Sequence, residues 1–334
     1  MFKFKNFRFI TAVLFLFSAL SLYGADLEIK AEETVLAGTL LFPKAEKAVS
    51  VCIIVPGSGP VDRDGNSGFN LRADTYKLLA EGLAENGIAS FRYDKRGVGK
   101  SLPAQFKEED IRFEINVQDL KAIISHLKSL KKFKKIFLIG HSEGSLVSIL
   151  CAKTEKVDGF ISIAGVGKNS ADLILEQIEK NPANPKALIN SSKQIIEKLK
   201  SGKMEENVPL VLNSLFRKSV QPYLISWFKY EPKKEIAQLK IPVLVIQGGN
   251  DIQVGVEDSK LLSSAKEGIE LKIIEKMTHT LKEINSPQEQ MKTYIDPSYP
   301  ISKDLVLAIT EFVNKNYADL KNHIELSKYL MPNY

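Results

Sequence analysis

IFLIGHSEGSLVSIL, residues 136–150, is the stretch whose reading decides the fold of this chain. Ile136 to Ile139 is a run of β-formers, Gly140-His141-Ser142-Glu143-Gly144 follows without a spacer, and Leu146, Ile149 and Leu150 then fall at helical spacing. The order is strand, tight turn, helix. A serine on so sharp a turn is held in a strained backbone position, and the small residues Gly140 and Gly144, two before and two after it, let neighbouring backbones approach without a Cβ clash. The hydroxyl then stands above the sheet edge, where the first N–H groups of the new helix point at any oxyanion formed beside it. A bare G-x-S-x-G also occurs in ordinary turns. The strand before it and the helix after it make Ser142 a candidate nucleophile.

Working outward, Leu27 to Phe42 reads as two strands broken near Glu32-Glu33, a hairpin opening the sheet. Val51 to Val55 is a β-branched central strand that stops at the rigid turn Pro56-Gly57-Ser58-Gly59-Pro60. A helix from about Ala73 to Asn86 ends at Gly87, the strand Ile88 to Tyr93 follows, and helical spacing returns at Leu120, Ile123, Ile124 and Leu127. Gly159 to Ala164 is the strand after the Ser142 helix. From Val166 to Lys240 the β pattern stops. Ser170 and Asn184-Pro185 open helices there, and Leu210 to Tyr230 carries a dense set of apolar residues. The sheet resumes with Ile241 to Gln247 and Leu271 to Glu275, with a helix between them from Val256 to Ala265 and a closing helix from Asp304 to Asn316. Strands alternating with helices imply an α/β fold with a mostly parallel sheet covered on both faces, whose ligands bind at the carboxyl ends of the strands.

The expected organisation is a signal peptide over residues 1–25, a core from 26–165 and 241–334, and a helical cap (lid) insert over 166–240. Lys3, Lys5 and Arg8 before the apolar run Phe9 to Tyr23, then Gly24-Ala25, have the order of a secretory signal. That run is short for a membrane span, which needs about 20 residues. Export to the periplasm or medium is expected, with an uncleaved N-terminal anchor as the alternative because Leu22 and Tyr23 suit a cleavage site poorly. Removing residues 1–25 leaves 43 basic against 40 acidic side chains, a net charge of +3. That is too mild to argue for nucleic acid. The lysines at 128, 131, 132, 134 and 135 read as a solvated loop, and Cys52 and Cys151, each inside an apolar segment, as buried thiols. The 44% hydrophobic content and the absence of repeats fit a packed globular chain of 334 residues.

A serine hydroxyl needs a base within hydrogen-bond reach, itself oriented by a third group. Four histidines are available. His126 lies within a helix, His323 in the polar C-terminal tail, and His141 beside the serine would point away from it. His279, just past a strand in Met277-Thr278-His279-Thr280, remains as the base. The orienting acid should also follow a strand, which favours Asp251 in Gly248-Gly249-Asn250-Asp251 over Asp258 inside the next helix. The order Ser142, Asp251, His279 is the one expected of α/β-hydrolases. In that fold the oxyanion donors are the backbone N–H groups of Glu143 and of Ser58, so Ser58→Ala should be mild, whereas loss of a donor costs roughly 3 kcal/mol. Gly97-Val98-Gly99-Lys100-Ser101 resembles the end of a P-loop but has Asp94 where the first glycine is required. No histidine or cysteine cluster has metal spacing, so neither metal nor cofactor is expected.

Taken together, PGSGPVDRDG (56–65), RYDKRGVGKS (92–101), GHSEG, QGGNDIQV (247–254) and MTHTLK (277–282) resemble the bacterial esterase and serine-aminopeptidase (S33) group of the α/β-hydrolases. The likeness covers nearly all of the chain after the signal segment. It implies hydrolysis of carboxylic esters or related acyl compounds, with Ser142 as nucleophile, His279 as base and Asp251 as acid. The substrate would be a small acyl ester or, alternatively, a short peptide or aminoacyl amide, and no nucleic acid or stable membrane span is expected. An aminopeptidase would need an acidic group near the pocket to meet the α-amine. A binding protein on a retired hydrolase scaffold is the rival from another class, against which three separated, intact triad residues argue. Arg63, Asp64 and Arg96 are matched in position only and have no derived role.

Overall fold

The computed structural model describes residues 23–43, 50–68, 70–103 and 105–329. Its strands are Tyr23–Ala31 (β1), Thr34–Phe42 (β2), Ser50–Val55 (β3), Ala89–Tyr93 (β4), Lys135–His141 (β5), Gly159–Ile163 (β6), Val243–Gly248 (β7) and Ile269–Ile274 (β8). Around them lie Thr75–Glu85 (α1), Phe113–Ser129 (α2), Glu143–Ala152 (α3), Ser170–Lys180 (α4), Lys186–Lys200 (α5), Asn213–Phe216 (α6), Gln221–Trp227 (α7), Pro232–Ile236 (α8), Val256–Ser263 (α9), Lys292–Ile295 (α10) and Lys303–Tyr329 (α11). The strands form one sheet in the order β1-β2-β4-β3-β5-β6-β7-β8. The hairpin β1–β2 and the β2–β4 pair are antiparallel, and β4 through β8 are parallel. The hairpin turns at Glu32, whose positive φ of 42° marks the expected break.

The sheet is buried on both faces, which is why its central strands are apolar without alternation. Val51, Ile53, Ile136 and Leu138 face a core shared with α2 and α3. Their neighbours Cys52, Ile54, Phe137 and Ile139 face the opposite core, filled from α1 and α11. From β3 the chain first steps outward to β4 and then returns to β5 on the other side. The carboxyl ends of β3 and β5 therefore flank a switch point, where the two following loops diverge and leave a crevice.

Five helices, α4 to α8, fill the interval between β6 and β7. The apolar stretch Leu210 to Tyr230 is broken into a turn of 3-10 helix and the short α6 and α7, because Pro222 lacks an N–H and restarts the helix at its first turn. Leu212, Phe216, Leu224, Trp227 and Phe228 are buried as the spacing implies, whereas Leu215 is exposed. The closing helix α11 is longer than its apolar spacing indicated, and the short α10 was not legible.

Lys135 departs from the solvated-loop reading. It is the first residue of β5, is buried, and pairs with Asp158 at 2.8 Å. Both cysteines are buried free thiols, and burial pushes Cys151 up to about 12 and Cys52 further still. The expected signal segment lies outside the described residues except for Tyr23 to Ala25, which open β1 opposite Phe42 to Leu40. Among the described residues, no helix is long and apolar enough to cross a membrane.

Candidate active site

Ser142 sits between the last residue of β5 and the first of α3 with φ 54° and ψ −120°, a conformation that costs a non-glycine residue energy. Two packing contacts hold it there. A Cβ on Gly140 would lie 2.4 Å from the Gly144 carbonyl oxygen, and one on Gly144 would lie 2.3 Å from that of Val55, so only glycine fits at either position. The Ser142 N–H donates to the Ile163 carbonyl at 2.9 Å, pinning the turn to the end of β6.

Asp251 and His279 follow β7 and β8 at the same sheet edge. His279 Nδ1 donates to Asp251 Oδ2 at 2.8 Å, with the Asp251 side chain fully buried. The other carboxylate oxygen accepts the N–H groups of Gln253 and Val254 at 2.8 and 3.0 Å, and Gln247 Nε2 adds a bond of 3.2 Å to Oδ2. Burial by itself would raise the Asp251 pKa, but the His279 charge and hydrogen bond and the two backbone donors outweigh it and hold the carboxyl below its usual range. With Nδ1–H committed to Asp251, the lone pair of His279 lies on Nε2. Asp258, the other acid considered, accepts from the Gly167 N–H at 3.0 Å and faces Lys168 at 3.4 Å, away from this cluster. Ser142 and His279 line one cavity of about 200 Å³ together with Gly57, Ser58, Gln253 and Tyr294.

His141 lines the same cavity, but both of its ring nitrogens are committed to other partners. Its Nε2 meets the His279 carbonyl oxygen at 2.9 Å and must therefore carry the proton; Nδ1 is then an acceptor, and the Tyr76 hydroxyl donates to it at 2.9 Å. The Tyr76 oxygen in turn accepts the Gly57 N–H at 2.9 Å. One chain of bonds thus joins the turn after β3, helix α1, the residue before Ser142 and the His279 loop. Burial, reinforced by the neighbouring His279 ring, pushes His141 down to about 3 and keeps it neutral. Nothing in the sequence separates Tyr76 from an ordinary core aromatic of α1, so its part was not legible.

The arginines with no derived role form a frame around the turn after β3. Arg63 grips Asp94 with two nitrogens at 3.1 and 2.8 Å, Arg92 meets Asp64 at 2.9 Å, and Arg96 Nε meets Asp119 at 3.1 Å. Burial opposes ionisation of Asp94, yet Arg63 and the Lys100 N–H lower its pKa below the usual value. The P-loop-like segment has a structural role: buried Ser101 accepts the Ala37 N–H at 2.9 Å, tying this loop to β2. Lys95, beside Arg96, donates at 3.0 Å both to the Gly57 carbonyl and to Glu143 Oε1. A second cavity of about 250 Å³ lies across the same turn, with Gly59, Lys95, Phe106, Ile115, Arg217 and Tyr223 in its wall. The N–H groups of Ser58 and Glu143 have no hydrogen-bond partner among the described residues. No group of three potential metal ligands occurs among those residues either.

Comparison with known proteins gives the family and the fold. The family model for serine aminopeptidases of the S33 type matches residues 66–283, more than half of the chain. Esterase EstD of Thermotoga maritima is 27% identical over 265 residues, a match that spans 77% of this chain and only 61% of that protein. Est1E of Butyrivibrio proteoclasticus, solved with ferulic acid bound, superposes with a TM-score of 0.59 at 21% identity over 87% of this chain and 99% of its own. The α/β hydrolase GrgF from Penicillium sp. sh18 gives 0.57 at 18% identity over 89% and 100%. These two establish the α/β-hydrolase fold, and with the matched family model the chain belongs to the serine aminopeptidase S33 family of hydrolases.

Proposed function

We propose that this protein is an exported serine hydrolase that cleaves carboxylic esters. The observation that carries the reading is the 2.8 Å bond from His279 to buried Asp251, with His279 in the wall of a cavity that also holds Ser142 at a helix N-terminus. In the proposed reaction His279 Nε2 takes the Ser142 proton as the hydroxyl attacks the carbonyl carbon, and Asp251 stabilises the imidazolium. The N–H groups of Ser58 and Glu143 receive the oxyanion. His279 then returns the proton to the leaving alcohol, and a water molecule, activated by the same imidazole, releases the acid from Ser142.

The ester reading is supported over the aminopeptidase by where the nearby acids are committed. Glu108, in the wall of the second cavity, is held by Arg217 and Ser219. Glu143 is buried against Lys95. Each already faces a cation, so neither offers an unpaired charge to a substrate amine. Likeness to the EstD esterase points the same way. Residues 166–240 would serve as a cap over the second cavity, and the basic, then apolar N-terminus would direct export. Hydrolysis of a p-nitrophenyl ester and labelling by a fluorophosphonate should both be lost in Ser142→Ala, with turnover falling by at least roughly 10³-fold. Equal turnover in variant and wild type would refute the assignment.

A further inference from the structure

We infer that Lys95 is a positioning residue for the oxyanion site and acts on both of its donors. This rests on the serine-hydrolase reading given above. The Lys95 side chain is 12% exposed, and its ammonium makes two bonds of 3.0 Å, one to the Gly57 carbonyl oxygen and one to Glu143 Oε1. The Gly57 carbonyl and the Ser58 N–H belong to one peptide unit. That unit is planar and trans, so anchoring its oxygen fixes the N–H in the opposite direction. An ammonium on the carbonyl also polarises the amide and makes its N–H a stronger donor. The preceding peptide is held from its other side, since the Gly57 N–H is bound to the Tyr76 oxygen at 2.9 Å. Both peptides of the turn are therefore fixed before substrate arrives, which is what an oxyanion site needs in order to avoid reorganising during the reaction.

The second bond reaches the other donor. Glu143 supplies its backbone N–H to the oxyanion and its side chain to Lys95, so one ammonium ties the first turn of α3 to the turn after β3. Glu143 is 3% exposed, and its second oxygen, Oε2, has no hydrogen-bond partner among the described residues. Lys95 is the cation that balances this buried carboxylate, with the Tyr223 hydroxyl beside it. A lysine present only to neutralise Glu143 could direct its remaining protons anywhere. This one binds the single carbonyl whose peptide carries the proposed donor.

The test uses the full-length protein. Lys95→Met keeps side-chain length and removes the ammonium. Its kcat on a p-nitrophenyl ester should fall roughly 10- to 100-fold, less than the 10²- to 10³-fold typical of losing a donor itself, while KM stays within about twofold. Affinity for a trifluoromethyl ketone, which becomes an oxyanion when Ser142 adds to it, should fall by the same factor. Lys95→Cys should show the same loss and regain activity after aminoethylation with 2-bromoethylamine, since the native thiols Cys52 and Cys151 are buried and do not compete. Should Lys95→Met fail to fold, Glu143→Gln carries the question: it loosens the hold on Lys95 without altering a backbone donor, and kcat should drop about fivefold at constant KM. A folded Lys95→Met with unchanged kcat and unchanged ketone affinity overturns the inference, as does a loss confined to KM. A wild-type protein with no Ser142-dependent turnover overturns the hydrolase reading itself, and this inference with it.

Discussion

His141 shows how much one side chain can settle. It lies next to the proposed nucleophile yet takes no part in the chemistry, because both ring nitrogens are used: one receives the Tyr76 hydroxyl proton and the other donates to the His279 carbonyl. Its pKa is moved from 6.5 down to about 3, so the unfolded chain binds a proton that the folded chain refuses. Stability from this group is complete above pH 6.5 and is lost as pH falls from there toward 3. Asp251 acts with the same sign, but only below its ordinary value of 3.8, whereas burial raises Asp119 and Asp62 above that value and gives them the opposite sign, so the contribution of His141 is read from the difference between wild type and His141→Gln. Urea unfolding between pH 6.5 and about 4 should show stability falling by on the order of 1 kcal/mol per pH unit more in the wild type than in His141→Gln. Parallel pH curves for the two proteins would mean that His141 is not held neutral by its surroundings.

At the scale of elements, the strands place the site and the ion pairs hold its loops to them. Strands β3, β5, β7 and β8 each end on the same edge, and each is followed by one segment of the site: the 56–60 turn, Ser142, Asp251 and His279. The loop after β4 contributes no reacting group, but Arg96 from it reaches Asp119 in α2, with side-chain exposures of 11% and 3%. Burial holds the Asp119 carboxyl above its usual pKa even though Arg96 opposes the shift. Arg96→Met leaves that carboxylate buried without its partner and should cost about 3–5 kcal/mol in urea denaturation. Arg96→Met combined with Asp119→Leu should recover most of the loss, because the unpaired charge rather than the missing contact is what destabilises. A double variant no more stable than the single one would assign the cost to packing. That Arg63, Asp64 and Arg96 frame the site was not legible in the sequence: each partner lies 23 to 31 positions away, and no local pattern links an arginine to one aspartate rather than another.

For the whole molecule, the helical insert and the sheet share one core. Phe113 at the start of α2 stacks on Trp227 of α7 with ring centres 5.8 Å apart and planes 2° from parallel, and its N–H donates to Ser226 Oγ at 2.7 Å. Ile195, Leu199 and Trp227 of the insert belong to the same buried cluster as Leu120 and Ile149 beneath the sheet. Trp227 is the single tryptophan of the chain, so its fluorescence reports the insert while far-UV circular dichroism reports the whole. The two signals should follow one urea transition with a common midpoint. An earlier fluorescence midpoint would show that the insert melts as a separate unit. By itself the sequence determined the strand-turn-helix around Ser142, the opening hairpin, the two-faced parallel sheet, and the order in which serine, aspartate and histidine follow their strands. Those features are written in side-chain periodicity and turn residues that act over a few positions. Only the tertiary structure decided that Tyr76 and His141, 65 positions apart, tie the 56–60 turn to a histidine loop 138 positions further on, and that Lys95 binds both the Gly57 carbonyl oxygen and the Glu143 carboxylate. Such contacts depend on which strands lie side by side, and strand order is set by the burial of the whole sheet rather than by any segment of it.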